Sequence, residues 1–184
     1  LMLAVAGGAM TRNHVVAAKA RITTRLYNYL GSTETAGIAH TKVETEDDHR
    51  WHRIAPGRTV EIVDGDDGPV PLGETGRLRI GTTGGPTNYL NNEQSSREFF
   101  RDGFFYPGDL AVCRPDGRFA LKGRMTDVIN VRGTKISPAP IEDKLCEALG
   151  LRGVCLFSMQ DGSGEEELHV VVESPKPIDE AQLI

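Results

Sequence analysis

Cysteine is scarce in this chain: Cys113, Cys146 and Cys155 are the only three in 184 residues. They are odd in number, far apart and without CxxC spacing. That excludes a disulfide-stapled scaffold and a cysteine zinc site. It is the usage expected of small unpaired hydrophobes in a reducing, cytoplasmic compartment. Aromatics are also few, at 6% with one Trp. Basic charge is not in excess. The net charge of −5 argues against a broad nucleic-acid-binding surface, which needs clustered Lys and Arg, while allowing a local basic site. No apolar run approaches the roughly 20 residues that span a bilayer. The opening "LMLAVAGGAM" has no basic n-region and does not read as a signal peptide. There is no internal repeat and no low-complexity tract.

Hydrophobic residues at 39% and charged residues at 26% describe a globular chain, long enough for one domain or two small ones. Residues 1–6 read as a buried strand broken by Gly7-Gly8. Residues 11–25 have helical spacing, and residues 26–30 are β-prone and end at Gly31. This strand–helix–strand order suggests part of an α/β layer. Residues 45–50, "TEDDHR", read as a solvated charged loop. From about Trp51 to residue 121, glycines, prolines and short strands dominate. "VEIVDGDDGPVPLGETGRLRI" holds two strand-like runs, and Asp116-Gly117 marks a tight hairpin. Together they predict a small antiparallel sheet or barrel.

After Gly123 the pattern changes again. "DVINVRGTKISP" predicts a hairpin. Ser137 as cap and Pro138 in the first turn open a helix with an Ile141, Leu145, Leu149 stripe, closed by Gly150. Residues 154–159 and 168–173 are strand candidates. "IDEAQLI" reads as the start of a helix. The chain opens inside a strand and closes on a helix start, so a fragment of a longer protein is expected.

Three stretches carry candidate chemistry. "NYLGSTETAG" presents a Thr hydroxyl that can donate to a phosphate and a Glu carboxylate that can hold Mg²⁺. It also reads as a Ser/Thr turn capping a helix, with Glu34 as box partner. In "FFYPGDL", Asp109 can accept both hydroxyls of a ribose, or simply sit in a Pro-Gly turn. In "GRMTDVINVRGTKISPAPIE", Arg124 and Lys135 can reach a phosphate or sugar, or be ordinary surface charge. His49 and His52, three apart, would meet a metal only on a helix.

In this order the pieces resemble the adenylate-forming (AMP-binding) superfamily: acyl-CoA synthetases, luciferases and peptide-synthetase adenylation domains. The matching segments are "AGGAM" at 6–10, "LGSTE" at 30–34, "GETGRL" at 73–78, "YPGDL" at 106–110 and "GRMTDVINVRGTKISPAPIE" at 123–142. They are collinear and cover nearly the whole chain. The resemblance implies a β-rich α+β fold in three parts. These are the end of an α/β nucleotide-binding subdomain (1–44), a small antiparallel β-barrel (45–122) and a truncated α+β C-terminal lid (123–184).

It also implies roles. Gly8 and Ala9 would line the adenine pocket, and Asn28 would hydrogen-bond the adenine amine. Leu30 stands where the family has a stacking Tyr. Thr33 would touch the α-phosphate, and Glu34 would help hold Mg²⁺. Asp109 and Arg124 would bind the ribose. Lys135 falls where some members place a phosphate-reaching Arg, and Gly133 would border the pantetheine channel. Pro107 replaces a Thr, and Thr126 occupies the hinge position. The family's phosphate loop would precede residue 1 and its catalytic lysine would follow Ile184, so this chain alone is not expected to form an adenylate.

The implied parent activates a carboxylic acid with ATP and passes the acyl group to CoA or a carrier protein's pantetheine thiol, leaving AMP. The alternatives are an amino-acid adenylation domain, or a non-catalytic AMP-binding or carrier-docking module. "IGTTGGPTNYL" at 80–90 looks like a phosphate loop, but Thr87 stands where that loop has Lys. It reads as a turn-rich connection, with Asn88-Tyr89 matching the family's Gly-Tyr loop.

Overall fold

The computed structural model describes residues 1–8, 10–131, 133–160, 162 and 165–174. The chain divides into two compact units, Leu1–Lys122 and Gly123–Ile184.

In the first unit, β1 (Leu3–Val5) leads through α1 (Arg12–Arg21) to β2 (Leu26–Ser32), which pairs with β1 in parallel. Thr11 starts the helix. Its hydroxyl accepts from the His14 amide at 3.2 Å, and its own amide donates to His14 Nδ1 at 3.3 Å, so two orphan donors are satisfied reciprocally. The helix stops at Arg21 rather than running to residue 25. Ile22, Thr23 and Thr24 are β-branched, and the Thr23 hydroxyl bonds backbone instead, donating to Leu1 O and accepting from the Arg25 amide. Val15 packs with Met10, Leu26 and Val43. β3 (Ala36–Lys42) then pairs antiparallel with β2.

Residues 45–50 are not the solvated loop their charge suggests. Glu46–His49 is a 3₁₀ turn in which Asp48 and His49 are buried. The Asp48 carboxylate accepts from the amides of Glu44 (3.0 Å) and Thr45 (2.7 Å) and from Arg118 Nη1 (2.8 Å), which is what allows a charged group to be buried. Residues 52–55 then link two sheets. His52 exchanges backbone bonds with Phe119, while Ala55 N donates to Ile38 O and His40 N to Arg53 O.

The second sheet has six strands: β4 (Val60–Val63), β5 (Thr75–Gly81), β6 (Phe100–Arg101), β7 (Phe104–Phe105), β8 (Asp109–Cys113) and β9 (Phe119–Arg124). The helix α2 (Glu93–Phe99) runs directly into β6. The expected barrel is not formed, because the sheet is open. Arg77 pairs with both Val63 and Leu110, and Ile80 with both Val60 and Phe105. Thus β4 lies along one edge of β5, while β7 and β8 follow one another along the other. With β7 and β8 sharing one edge of β5, fewer strands lie side by side than the count of six suggests. Among the described residues no pairing joins its two edges. Ile38 and Ala39 of β3 pack with Leu78, Ile80, Phe105, Ala111 and Phe119 to form the main core.

The second unit contains a hairpin of β10 (Ile129–Val131) and β11 (Thr134–Ile136), the helix α3 (Pro138–Leu149), and a hairpin of β12 (Gly153–Gln160) and β13 (Glu166–Glu173). Ser137 sits at the N-cap position and Pro138 at the helix start, but the Ser137 side chain makes no capping bond to the helix. Gly150 ends α3 in the left-handed region at φ 64°, as its place after the apolar stripe predicts. The Leu156 amide donates to Glu142 Oε1 at 2.8 Å, tying β12 to the helix. The helix start expected at 178–184 lies outside the described residues.

Candidate functional site

The hairpin between β2 and β3 carries the first site. Ser32 pairs with Ala36, so Thr33, Glu34 and Thr35 form the turn. It is a β-hairpin turn, not a helix cap, because the strand does not end at Gly31. The ladder shifts register between Leu30 and Gly31 and continues. Glycine is required there, since a Cβ at 31 would lie 2.1 Å from Ala36 O. Thr33 is exposed, Glu34 half-buried and Thr35 buried.

Glu34 has a partner that local sequence reading missed. The Tyr89 hydroxyl donates to Glu34 Oε1 at 2.7 Å. That bond, ahead of the opposing effect of burial, holds the Glu34 carboxyl below the usual carboxylate range. Burial, reinforced by the bond to Glu34 and its charge, pushes the Tyr89 phenol up to about 12. Tyr89 sits at the end of "IGTTGGPTNYL". Residues 82–86 are the turn that was expected, with Gly85 N donating to Thr82 O at 2.8 Å and Gly84 at φ 74°. The Cβ position of Gly85 falls 3.6 Å from Glu34 O, so this connection lies against the Glu34 turn. Asn88-Tyr89 was visible as a family-like pair, but a contact across 55 residues leaves no local signal.

Asn28, on β2 of the same hairpin, is 3% exposed. Its Nδ2 donates to His49 O at 2.7 Å. Because that partner is a carbonyl, the amide's NH₂ must face it, which sets Oδ1 as the acceptor side. Leu30 packs against the main core. Tyr29, facing the other way, is 39% exposed and stacks on His40 with ring centroids 6.0 Å apart. Gly8 is exposed, and Ala9 lies outside the described residues.

Asp109 opens β8 half-buried. It does not sit in a simple Pro-Gly turn. The partners of β5 move from Phe105 opposite Ile80 to Leu110 opposite Arg77. Two extra residues are therefore accommodated, with Gly108 at φ 82°. Such a bulge re-aims the side chain that follows it. Arg124, Gly133 and Lys135 belong to the second unit. Arg124 ends β9 exposed, Gly133 turns the β10–β11 hairpin at φ 82°, and Lys135 is exposed opposite Asn130. Thr126, also exposed, donates to Asp127 Oδ1 at 3.0 Å.

His49 and His52 do not form a metal pair. The 3₁₀ turn ends at His49, and His52 lies in extended backbone with its ring against Phe119 at 5.6 Å, so a spacing of three does not align them. Among the described residues no group of three His, Cys, Asp or Glu is placed to hold a metal. Cys113, Cys146 and Cys155 carry free thiols. No described helix is long and apolar enough to cross a membrane.

No family model matches the chain. Individual relatives do. A long-chain-fatty-acid–CoA ligase of Salmonella typhimurium is 30% identical over 182 residues, covering 96% of this chain and 32% of that protein. A linear gramicidin synthase polypeptide of Brevibacillus parabrevis is 28% identical over 192 residues, covering 98% of this chain and 2% of that protein. The chain belongs to the adenylate-forming superfamily. It spans about a third of the length of the Salmonella relative. Two solved structures share this family fold. The amide bond synthetase McbA from Marinactinospora thermotolerans superimposes with TM-score 0.84 at 24% identity, over 99% of this chain and 39% of its own. The o-succinylbenzoate CoA synthetase MenE of Bacillus subtilis, in complex with ATP and magnesium ion, gives 0.80 at 19%, over 98% of this chain and 38% of its own.

Proposed function

We propose that this chain is part of an AMP-forming acid–thiol ligase. Such an enzyme joins a carboxylate oxygen to the α-phosphorus of ATP, with pyrophosphate leaving. It then transfers the acyl carbon to the sulfur of CoA or a carrier-borne pantetheine, with AMP leaving. The observation that carries this reading is the β2–β3 hairpin, which presents Thr33 and a Tyr89-held, anionic Glu34 on one turn. Collinear family-like segments along the rest of the chain support it.

In this reading Gly8, Ala9 and Leu30 border the adenine, and Asn28 Oδ1 accepts from its amine. Thr33 donates to an α-phosphate oxygen. Asp109 and Arg124 bind the ribose hydroxyls, Lys135 reaches phosphate, and Gly133 borders the thiol channel. Residues 123–184 act as part of the lid. A single anionic carboxylate beside hydroxyl side chains suits Mg²⁺, which keeps several waters and takes one or two carboxylates plus phosphate oxygens. Bound there, Mg²⁺ would neutralise phosphate charge. The same residues serve an amino-acid adenylation domain, and the similarity to a gramicidin synthase keeps that second reading in place.

The test is pyrophosphate exchange by the full-length protein. Exchange that depends on an added fatty, aryl or other non-amino carboxylic acid is the expected result. Exchange with amino acids alone would favour the second reading. Retained AMP binding without exchange on any acid would reduce the protein to a nucleotide-binding module.

A further inference from the structure

Tyr89 touches no ligand in the reading above, yet the fold invests heavily in placing it against Glu34. Its amide donates to Ser96 Oγ at 2.9 Å, and Ser96 Oγ donates back to Asn92 O at 2.6 Å. Asn92 caps α2, accepting from the Ser95 amide at 3.0 Å. The Tyr89 ring meets Phe100 edge-on at 5.2 Å and Phe99 at 6.3 Å. The phenol is thus delivered from a braced cluster to one oxygen of a carboxylate 55 residues away. A carboxylate offers roughly four acceptor sites, so this bond fixes Glu34 and leaves it capacity for a cation.

We propose that Tyr89 is a positioning residue for Glu34, its hydroxyl clamping the carboxylate so that the turn holds a divalent cation–nucleotide complex more tightly. The proposal rests on the assignment of Glu34 to the metal. The clamp does two things. It removes rotamer freedom from an otherwise half-exposed Glu on a turn, and it donates a hydrogen bond that favours the anionic form. A tyrosine serving only to fill space would need its ring and not its hydroxyl.

The experiment follows the Glu34 carboxyl carbon by NMR in the isotope-labelled chain while Mn²⁺·ATP is added as a paramagnetic stand-in for Mg²⁺·ATP. In the native chain the Glu34 signal should broaden. In Tyr89→Phe, half-broadening should need about three- to tenfold more Mn²⁺·ATP, the range one hydrogen bond of ordinary net strength supplies. The Phe99 and Phe100 ring signals should stay in place in the same variant. Ser96→Ala, which loosens the Tyr89 backbone and leaves the phenol intact, should give a smaller shift in the same direction. Equal half-broadening in the native chain and both variants, with the response lost in Glu34→Gln, would overturn the clamp while leaving Glu34 at the metal. No broadening of Glu34 in the native chain would overturn both.

Discussion

A side chain at position 31 has nowhere to go. Gly31 is not needed for a left-handed φ. It is needed because the hairpin turns back so tightly that Ala36 O and Ala36 C lie 2.1 and 2.8 Å from where a Cβ would stand. The obstacle is backbone and cannot swing aside. Gly31→Ala should therefore destabilise the first unit by about 1–3 kcal/mol, the usual cost of overpacking, read as a lower urea midpoint. A variant of native stability would mean the turn is looser than its geometry shows. The same residue shows what sequence could reach at this scale. Gly31 invites a strand end, and the strand instead continues, because the close approach depends on where Ala36 lands. Thr33 and Glu34 were legible as turn residues, whereas the Tyr89 partner of Glu34 was not, since nothing near Tyr89 in sequence points to position 34.

The 3₁₀ turn Glu46–His49 shows how charge misleads at the scale of elements. Six residues rich in Asp, Glu, His and Arg read as solvated, yet Asp48 is 7% exposed. Burial works against its charge, but the Thr45 and Glu44 amides and Arg118 outweigh that and hold the carboxyl below its ordinary range. Composition carries no record of the Arg118 partner 70 residues away. Asp48→Ala would orphan two amides and leave Arg118, among the described residues, with its exposed neighbour Asp116 alone. The expected loss is roughly 2–4 kcal/mol. Because His49 O orients Asn28, the Asn28 side-chain amide signal should shift in the same variant. An unshifted signal would show that the turn does not position it. Where patterns are local, the elements were legible: the Asp116-Gly117 hairpin, the α3 start at Ser137-Pro138 and its stop at Gly150. The barrel was not, since short strands at close spacing suit a barrel and an open sheet equally. Only the pairing of β7 and β8 end to end along β5 separates the two.

The two compact units should respond differently to acid. His52 lies in the first unit, 7% exposed, and its Nδ1 finds no hydrogen-bond partner among the described residues. Burial lowers its pKa from 6.5 to about 4. The unfolded chain therefore takes up the proton first as pH falls, and the folded first unit loses stability between those values. From about pH 7 to about pH 5 the loss should be on the order of 2 kcal/mol. The lowered carboxyls of Glu34 and Asp48 contribute stability that is present above their ordinary values and is lost only as pH falls further, so this window isolates the histidine. The chain's one tryptophan, Trp51, belongs to the first unit, with Arg114 stacked 4.4 Å over its ring. Trp fluorescence thus reports that unit alone. Amide exchange along the β12–β13 ladder reports the second unit. The fluorescence midpoint in urea should fall across this pH range while protection in the β12–β13 ladder does not follow it. His52→Phe, which keeps an aromatic ring against Phe119 and removes the titrating nitrogen, should flatten the fluorescence response. A slope that survives His52→Phe would place the acid-sensitive group elsewhere in the first unit. A common slope in both probes would show that the two units unfold as one.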